Sequence, residues 1–259
     1  MTQVAQNVMV TGSNRGIGFG LVKELVKMNP PPDHIIATCR NPTGSEGKAL
    51  QDLATKCPNI HVVQLDVTDH STVKAAVSVV ESHLQGQGLN LLINNAGRNS
   101  QAAFLEDVDQ QDMLLTYNTN AVGPLLIVKE FLPLLKKAAK EMTTKDSGGN
   151  KAVVINISSI IGSIGAGFSA LMISVPPLYA YRASKAALNM ITAGLAMELK
   201  QHGILCALLH PGWVKTAMGS EEAPLTVQTS AEGMLKVIAN LKPSSSGAFL
   251  DWEGNEVAW

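Results

Sequence analysis

The sequence has few aromatic residues and no excess of charge of either sign, and both shortages narrow the class of protein. Aromatic side chains make up only 4% of the 259 residues, which argues against a module that stacks nucleic-acid bases. The 20 basic and 21 acidic residues leave a net charge of −1, so nothing favours a polyanion or an anionic membrane surface. We expect no nucleic-acid partner and no membrane partner.

Cysteine is also scarce. The sequence has three cysteines, Cys39, Cys57 and Cys206, which lie far apart. An odd number of separated cysteines fits free thiols in a reducing compartment better than a disulfide framework. The charged n-region of a secretory signal is missing, since the first basic residue is Arg15. We therefore expect a cytoplasmic protein.

One uncharged stretch, residues 152–181, superficially resembles a membrane-spanning helix. It also contains Asn156, five serines, three glycines and the Pro176-Pro177 pair, whose polar groups and broken backbone would be costly in lipid. A buried strand followed by an active-site loop is the better interpretation.

Short apolar runs alternate with longer segments of helical period along the chain, and continuous apolar runs are typical of strands covered on both faces. The predicted strands are 7–11, 34–38, 60–65, 89–94, 151–157, 204–209 and 247–252. The predicted helices are 16–28, 45–56, 70–85, 113–141, 179–202 and 230–240. The alternation predicts an α/β protein, a doubly wound Rossmann fold with a seven-stranded parallel sheet. With no linker to divide it, the chain is expected to form one domain, residues 1–259.

A glycine-rich segment, TGSNRGIG at 11–18, joins the first predicted strand to the first predicted helix. Gly12, Gly16 and Gly18 allow a tight turn and a close approach of the backbone to a pyrophosphate. The start of the helix offers free N–H groups to phosphate. This position between strand and helix favours nucleotide binding over an ordinary glycine-rich turn.

The spacing T-G-x-x-x-G-x-G and five further motifs resemble the short-chain dehydrogenase/reductase family. The further motifs are NNAG at 94–97, N-x-x-G at Asn120–Gly123, INISS at 155–159, Y-x-x-x-K at Tyr181–Lys185 and the P-G motif within His210–Thr216. They follow the family's order along nearly the whole chain. Within the family, TGSNRGIG, TCRNP and LHPGWVKT are similar to the sniffer-type carbonyl reductases and their C-factor-like relatives.

The chemistry of these residues agrees with the resemblance, because carbonyl reduction needs a hydride and a proton for the developing alkoxide. Lys185 lies one helical turn beyond Tyr181, where its charge would favour the phenolate and lower the tyrosine pKa. The family pattern implies that Ser159, rather than Ser158, holds the substrate oxygen; a serine that only caps a turn is the alternative. It also implies that Asn120 links Lys185 to solvent, the alternative being an asparagine that meets only its helix neighbours.

The resemblance further implies a set of cofactor contacts. Pro211 and Gly212 would turn the chain beneath a nicotinamide, and Thr216 would contact its carboxamide. Asp66 would accept from the adenine amine, although an N-cap of the following helix explains this residue equally well. The expected cofactor-binding residues are Gly12, Asn14, Arg15, Gly16, Ile17, Gly18, Arg40, Asp66, Val67, Asn95, Ala96, Gly97, Tyr181, Lys185, Pro211, Gly212, Val214 and Thr216.

Two arginines predict which dinucleotide is used. Enzymes that take NAD place an acidic residue about 20 residues beyond the glycine turn, where it accepts from the ribose 2′-OH. Here the second strand ends at Arg40 with no acid at its tip, and Asp33 lies at the strand's other end. Arg40, together with Arg15 in the turn, suits a 2′-phosphate and predicts NADP(H).

These residues predict an NADPH-dependent carbonyl reductase acting on an apolar aldehyde, ketone or quinone. A catalytically silent NADP(H)-sensing regulator of the same fold is the alternative, but it would have no need for Ser159, Tyr181 and Lys185. Extended-family epimerases and dehydratases have a T-G-x-x-G-x-x-G turn and a longer chain, which this sequence lacks.

Three further expectations concern the surroundings of the site. The apolar residues of segment 160–178 predict a substrate wall, with Phe168, Leu171 and Met172 at the entrance. The resemblance implies a homodimer formed through helices 113–141 and 179–202. The six histidines show no metal-ligand spacing such as H-E-x-x-H, so no metal is expected.

Overall fold

Seven strands form one parallel sheet in the computed structural model, which describes residues 3–141, 152–166 and 176–259. Along the sheet the order is β3-β2-β1-β4-β5-β6-β7, and every neighbouring pair is parallel. The strands are β1 Asn7–Thr11, β2 His34–Cys39, β3 Ile60–Gln64, β4 Leu91–Asn94, β5 Ala152–Ile157, β6 Ile204–His210 and β7 Phe249–Asp251. The predicted seven-stranded parallel Rossmann sheet is confirmed, with each strand boundary within two residues of its prediction.

Helices follow the strands along the chain and cover the sheet on both sides. They are α1 Gly16–Val26, α2 Lys48–Lys56, α3 His70–Leu84, α4 Gln110–Tyr117, α5 Gly123–Glu141, α6 Tyr179–Leu199 and α7 Val227–Ala239. Within the described residues, no helix is both long enough and apolar enough to cross a membrane.

The two faces of the sheet bury separate apolar cores, which explains why the strands are apolar throughout rather than alternating. Because side chains alternate along a strand, Val8 and Val10 of β1 face α1 and α7, where they pack with Leu21. Met9, between them, points to the opposite face and joins Phe131 of α5. All five side chains are fully buried.

The segment predicted as one helix over 113–141 is divided, and that prediction is wrong in detail. Helix α4 begins at Gln110, because Asp109 caps it by accepting from the backbone N–H of Asp112 at 2.8 Å. A π-helical turn, Asn118–Val122, then separates α4 from α5. Such turns are often found at functional sites, and this one carries Asn120.

The direction of the strand order reverses at β1, which lies between β2 and β4. In open parallel sheets a ligand cleft forms at such a switch point, beyond the carboxyl ends of the strands. The TGSNRGIG turn follows β1 and the NNAG motif ends β4, so both motifs lie at this cleft.

Candidate active site and dinucleotide cleft

The glycine turn lies directly against the end of β4. Gly12 has φ +66°, and a Cβ at this position would lie 2.9 Å from the Cα of Ala96. A Cβ at Gly18 would lie 2.2 Å from the carbonyl oxygen of Gly12 and 2.5 Å from Nδ2 of Asn95. Side chains at these two positions would push the turn away from β4, so the close approach requires glycine.

Asn95 and Thr11 hold the turn in place. The hydroxyl of Thr11 accepts from the backbone N–H groups of Asn95 and Ala96, each at 3.0 Å. The Asn95 amide donates to the carbonyl oxygens of Thr11 and Gly12, at 2.8 and 3.2 Å. Two motifs that are about 80 residues apart in sequence thus form one rigid unit.

The residues present fit a dinucleotide phosphate at this turn. Helix α1 begins at Gly16, and the residue before it, Arg15, makes no side-chain hydrogen bond that caps the helix. Unsatisfied N–H groups at a helix start suit an anion. The P-G segment closes the other side, since Thr216 Cγ2 lies 3.6 Å from the Cβ position of Gly16. Ser230 fixes that segment by donating to the carbonyl oxygen of Pro211 at 2.6 Å.

The two expected phosphate-binding arginines lie at the exposed rim of the cleft. Arg40 directly follows β2 and is exposed, and its carbonyl oxygen accepts from the Gln64 side chain at 3.2 Å. The Arg15 guanidinium lies 3.7 Å from a carboxylate oxygen of Glu46, with both side chains mostly exposed. The sequence analysis missed Glu46, which approaches the turn from the short 3₁₀ helix before α2.

Asp66 and Val67 follow β3 beside this cleft. One carboxylate oxygen of Asp66 accepts from both the backbone N–H and the hydroxyl of Thr68, at 2.9 and 2.7 Å. The alternative interpretation of Asp66 as an N-cap is wrong, because Asp69 caps α3. Val67 packs against the start of α5, where a Cβ at Gly123 would lie 2.6 Å from its carbonyl oxygen.

The two serines after β5 have different partners. Ser158 donates to the side-chain oxygen of Asn189 at 2.6 Å within the core. Ser159 instead hydrogen-bonds the side chain of Tyr181 on α6. The structure thus brings Ser159, and not Ser158, to the tyrosine. The contribution of Asn189 was missed because nothing in the local sequence couples it to the serine strand.

Lys185 is buried and Tyr181 is half-buried, and loss of contact with water dominates the protonation of both. Burial raises the pKa of Tyr181, while the hydrogen bond with Ser159 acts in the opposite direction. The expected net lowering of the tyrosine pKa by Lys185 is therefore not found in this structure. Burial lowers the pKa of Lys185 to about 8, and its ammonium donates to the carbonyl oxygen of Ile157 at 2.8 Å. Its Nζ lies 5.7 Å from the centre of the Tyr181 ring.

Asn120 connects three elements rather than only its helix neighbours. Its side chain accepts from the backbone N–H of Arg98 and donates to the carbonyl oxygen of the same residue, both at 2.9 Å. It also donates to the hydroxyl of Ser184 on α6 at 3.0 Å. A Cβ at Gly97 would lie 3.3 Å from Asn120 Oδ1 and 3.8 Å from Lys185 Nζ. Asn120, Gly97 and Lys185 therefore meet at one point.

Arg98 holds the loop after β4 and was missed by the sequence analysis. Its guanidinium pairs with Asp112 at 2.9 Å and donates to the Thr116 hydroxyl at 3.2 Å, both on α4. Ser100 hydrogen-bonds the same carboxylate. The position of Arg98 directly after NNAG was the one feature of the sequence that could have indicated this role.

His210 ends β6 beside the P-G segment, and its Nδ1 is buried with no hydrogen-bond partner among the described residues. Burial lowers its pKa to about 4. The described residues contain no cluster of three or more His, Cys, Asp or Glu side chains suited to a metal. Phe168, Leu171 and Met172, predicted to line the substrate entrance, lie outside the described residues.

A parallel sheet with a glycine turn at its switch point and a Ser–Tyr–Lys cluster nearby is typical of oxidoreductases of the Rossmann class. The family described as short chain dehydrogenase matches residues 6–225, and the chain belongs to that family.

Several relatives match this chain over nearly all of their own length. The NADPH-bound carbonyl reductase from chicken fatty liver is 46% identical with a TM-score of 0.92, over 98% of this chain and 99% of that one. The carbonyl reductase Sniffer of Drosophila melanogaster is 41% identical with a TM-score of 0.91, over 98% and 100%. C-signal of Myxococcus xanthus is 40% identical over 171 residues, which are 66% of this chain and 93% of that protein. This chain is thus a short-chain oxidoreductase that resembles carbonyl reductases.

Proposed function

We propose that the protein is an NADPH-dependent carbonyl reductase that delivers a hydride to an apolar aldehyde, ketone or quinone. The observation that carries the proposal is the contact between buried Ser159 and Tyr181, one helical turn from Lys185 and beside the glycine-turn cleft. The similarity to the NADPH-bound reductase from chicken fatty liver supports the choice of reaction and of cofactor.

Residues around the cleft would hold each part of the cofactor, which supplies the hydride when bound. The glycine turn and the N–H groups at the start of α1 would hold the pyrophosphate, and Arg15 and Arg40 the 2′-phosphate. Asp66 would accept from the adenine amine. The P-G segment, fixed by Ser230, would lie beneath the nicotinamide.

The protein's own residues would then manage the proton. The Ser159 hydroxyl would hold the carbonyl oxygen beside Tyr181. A partly desolvated phenol with a raised pKa keeps its proton at neutral pH, so Tyr181 could donate it to the developing alkoxide. The Lys185 ammonium would stabilise the phenolate left behind, and Asn120, which meets it at Gly97, would connect it to solvent.

The test follows NADPH absorbance with a panel of aldehydes, ketones and quinones. We expect turnover with apolar carbonyls, and kcat/KM rising along a series of alkyl aldehydes, since each buried methylene contributes about 0.8 kcal/mol. A flat series or a preference for sugars would contradict an apolar substrate wall. Tight NADPH binding with no turnover of any carbonyl would favour the silent sensor instead.

We also propose that the protein is a cytoplasmic homodimer that pairs through α4, α5 and α6. Exposed apolar side chains on these helices, among them Leu114, Met190 and Met197, support the pairing. Light scattering of the purified protein should give twice the chain mass of 27.4 kDa. The mass of a single chain, unchanged over the range of protein concentrations and on adding NADPH, would contradict the homodimer.

A further inference from the structure

The segment after Ser159 is held on one side by α6. Ser159 is followed by a 3₁₀ turn, Ile160–Gly162, whose last residue donates its backbone N–H to the Ser159 carbonyl oxygen at 2.9 Å. A Cβ at Gly162 would lie 2.5 Å from Cβ of Lys185, so the turn rests directly on the helix that carries the catalytic candidates. Any displacement of this turn would therefore also displace Ser159.

The other side of the same segment is held by residues from the far end of the sequence. The hydroxyl of Ser163, which is 3% exposed, donates to the carbonyl oxygen of Ala258 at 2.5 Å and accepts from the backbone N–H of Ala166 at 3.0 Å. The backbone N–H of Gly165 donates to the carbonyl oxygen of Trp259. We call Ser163, Gly165 and residues 257–259 the 163–259 clasp.

The clasp is itself anchored to the core. The backbone N–H of Val257 donates to the carbonyl oxygen of Phe249 in β7 at 2.8 Å. The Trp259 ring meets the Phe249 ring edge-on, with centroids 6.3 Å apart. Phe249 is buried against Leu188, which lies three residues beyond Lys185 on α6. The anchor of the clasp and the catalytic candidates therefore share one helix.

We propose that the 163–259 clasp fixes Ser159 relative to Tyr181, and that Ser163 and Trp259 are positioning residues for the reduction. The inference rests on the proposed function, because it concerns the placement of the substrate oxygen. A serine that only aligns a carbonyl oxygen acts on the geometry of the reacting atoms, and a misplacement of about 1 Å can cost about a hundredfold in rate. The clasp should therefore affect kcat more than cofactor binding.

The variants are Ser163→Ala, which removes the bond to Ala258, and Trp259→Ala, which removes the edge contact with Phe249. Trp259→Phe keeps an aromatic edge and serves as the conservative rescue. Gly165→Ala adds a Cβ that would lie 2.6 Å from the Trp259 carbonyl oxygen, whereas its matched control Gly194→Ala meets nothing within 4 Å. Trp259 is 45% exposed, so its variants should fold.

We expect Ser163→Ala, Trp259→Ala and Gly165→Ala to lower kcat by about 10- to 100-fold with NADPH affinity unchanged. Trp259→Phe and Gly194→Ala should stay near wild type. Variants that lose only thermal stability, with kcat unchanged well below the melting temperature, would overturn the inference. So would equal losses in kcat and in NADPH affinity.

Hydrogen–deuterium exchange separates this inference from the proposed function, because it needs no turnover. The backbone N–H groups of Gly165 and Ala166 should exchange faster in Ser163→Ala and Trp259→Ala than in wild type and Gly194→Ala. Unchanged exchange would overturn the clasp whatever the activity. A wild type that reduces no carbonyl, but whose clasp variants exchange faster, would refute the function and leave the clasp as a structural contact with no catalytic role.

Discussion

Replacing Arg40 by alanine should change the affinity for NADPH far more than the affinity for NADH. Arg40 is exposed at the end of β2, where the described residues place no carboxylate in an ion pair with it. Hydrogen bonds to charged groups contribute about 1.5–3 kcal/mol. Since about 1.4 kcal/mol corresponds to a tenfold change, Arg40→Ala should weaken NADPH binding by about 10- to 150-fold.

Removing the charge of Glu46 should have the opposite effect on the affinity for NADPH. Its carboxylate lies 3.7 Å from the Arg15 guanidinium and would compete with the 2′-phosphate for it. Exposed ion pairs contribute about 0–1 kcal/mol, so Glu46→Gln should tighten NADPH binding by no more than about fivefold. The two substitutions together test charge at the rim, one by removing a cation and the other by releasing one.

The assay is kcat/KM for NADPH and for NADH, measured on wild type and on both variants at fixed ionic strength. NADH lacks the 2′-phosphate, so it serves as the internal control and should be little affected. A wild type that prefers NADH would refute the reasoning. Equal losses for the two cofactors in Arg40→Ala would refute it as well, since they would indicate damage to the cleft rather than loss of a phosphate contact.

Two further predictions concern the glycine turn and the pH dependence of stability. Gly18→Ala should abolish NADPH binding measured by calorimetry, because the added Cβ would lie 2.2 Å from the Gly12 carbonyl oxygen; wild-type affinity would contradict the turn geometry. Burial and two neighbouring imidazoles lower the pKa of His61 from 6.5 to about 4, so the unfolded chain takes up a proton that the folded one refuses. The free energy of unfolding should therefore fall as the pH drops from about 6.5 to about 4. In His61→Asn, the urea midpoint of unfolding should fall less steeply with decreasing pH than in wild type. Part of the fall should remain, because the pKa of His210 is also lowered to about 4. An unchanged dependence of the midpoint on pH would exclude a contribution from His61.

The sheet and the glycine turn were predictable because their signals are local. The strands are buried on both faces, so each appears in the sequence as a continuous apolar run. TGSNRGIG lies between such a run and a helix, and this context predicts the tight turn that the structure has at Gly12 and Gly18. The serine, tyrosine and lysine were found by spacing and resemblance, and the structure brings them together.

The features that were missed depend on contacts between distant residues. The π turn at Asn118–Val122 is flanked by helical periodicity on both sides, so the sequence pattern continues across it. The pairing of Arg15 with Glu46 and of Ser163 with Ala258 joins residues 31 and 95 positions apart. The direction of the Tyr181 pKa shift depends on burial, which an i,i+4 spacing cannot convey.

The most direct test of the central claim is the rate of NADPH oxidation by Tyr181→Phe with a carbonyl that the wild type reduces. The phenylalanine ring fills the same space but has no proton to give. We predict unchanged NADPH binding and a turnover lower by about 100- to 10,000-fold, the usual contribution of general acid catalysis. Near-normal turnover in a folded, NADPH-bound Tyr181→Phe protein would remove this tyrosine from the mechanism and contradict the claim.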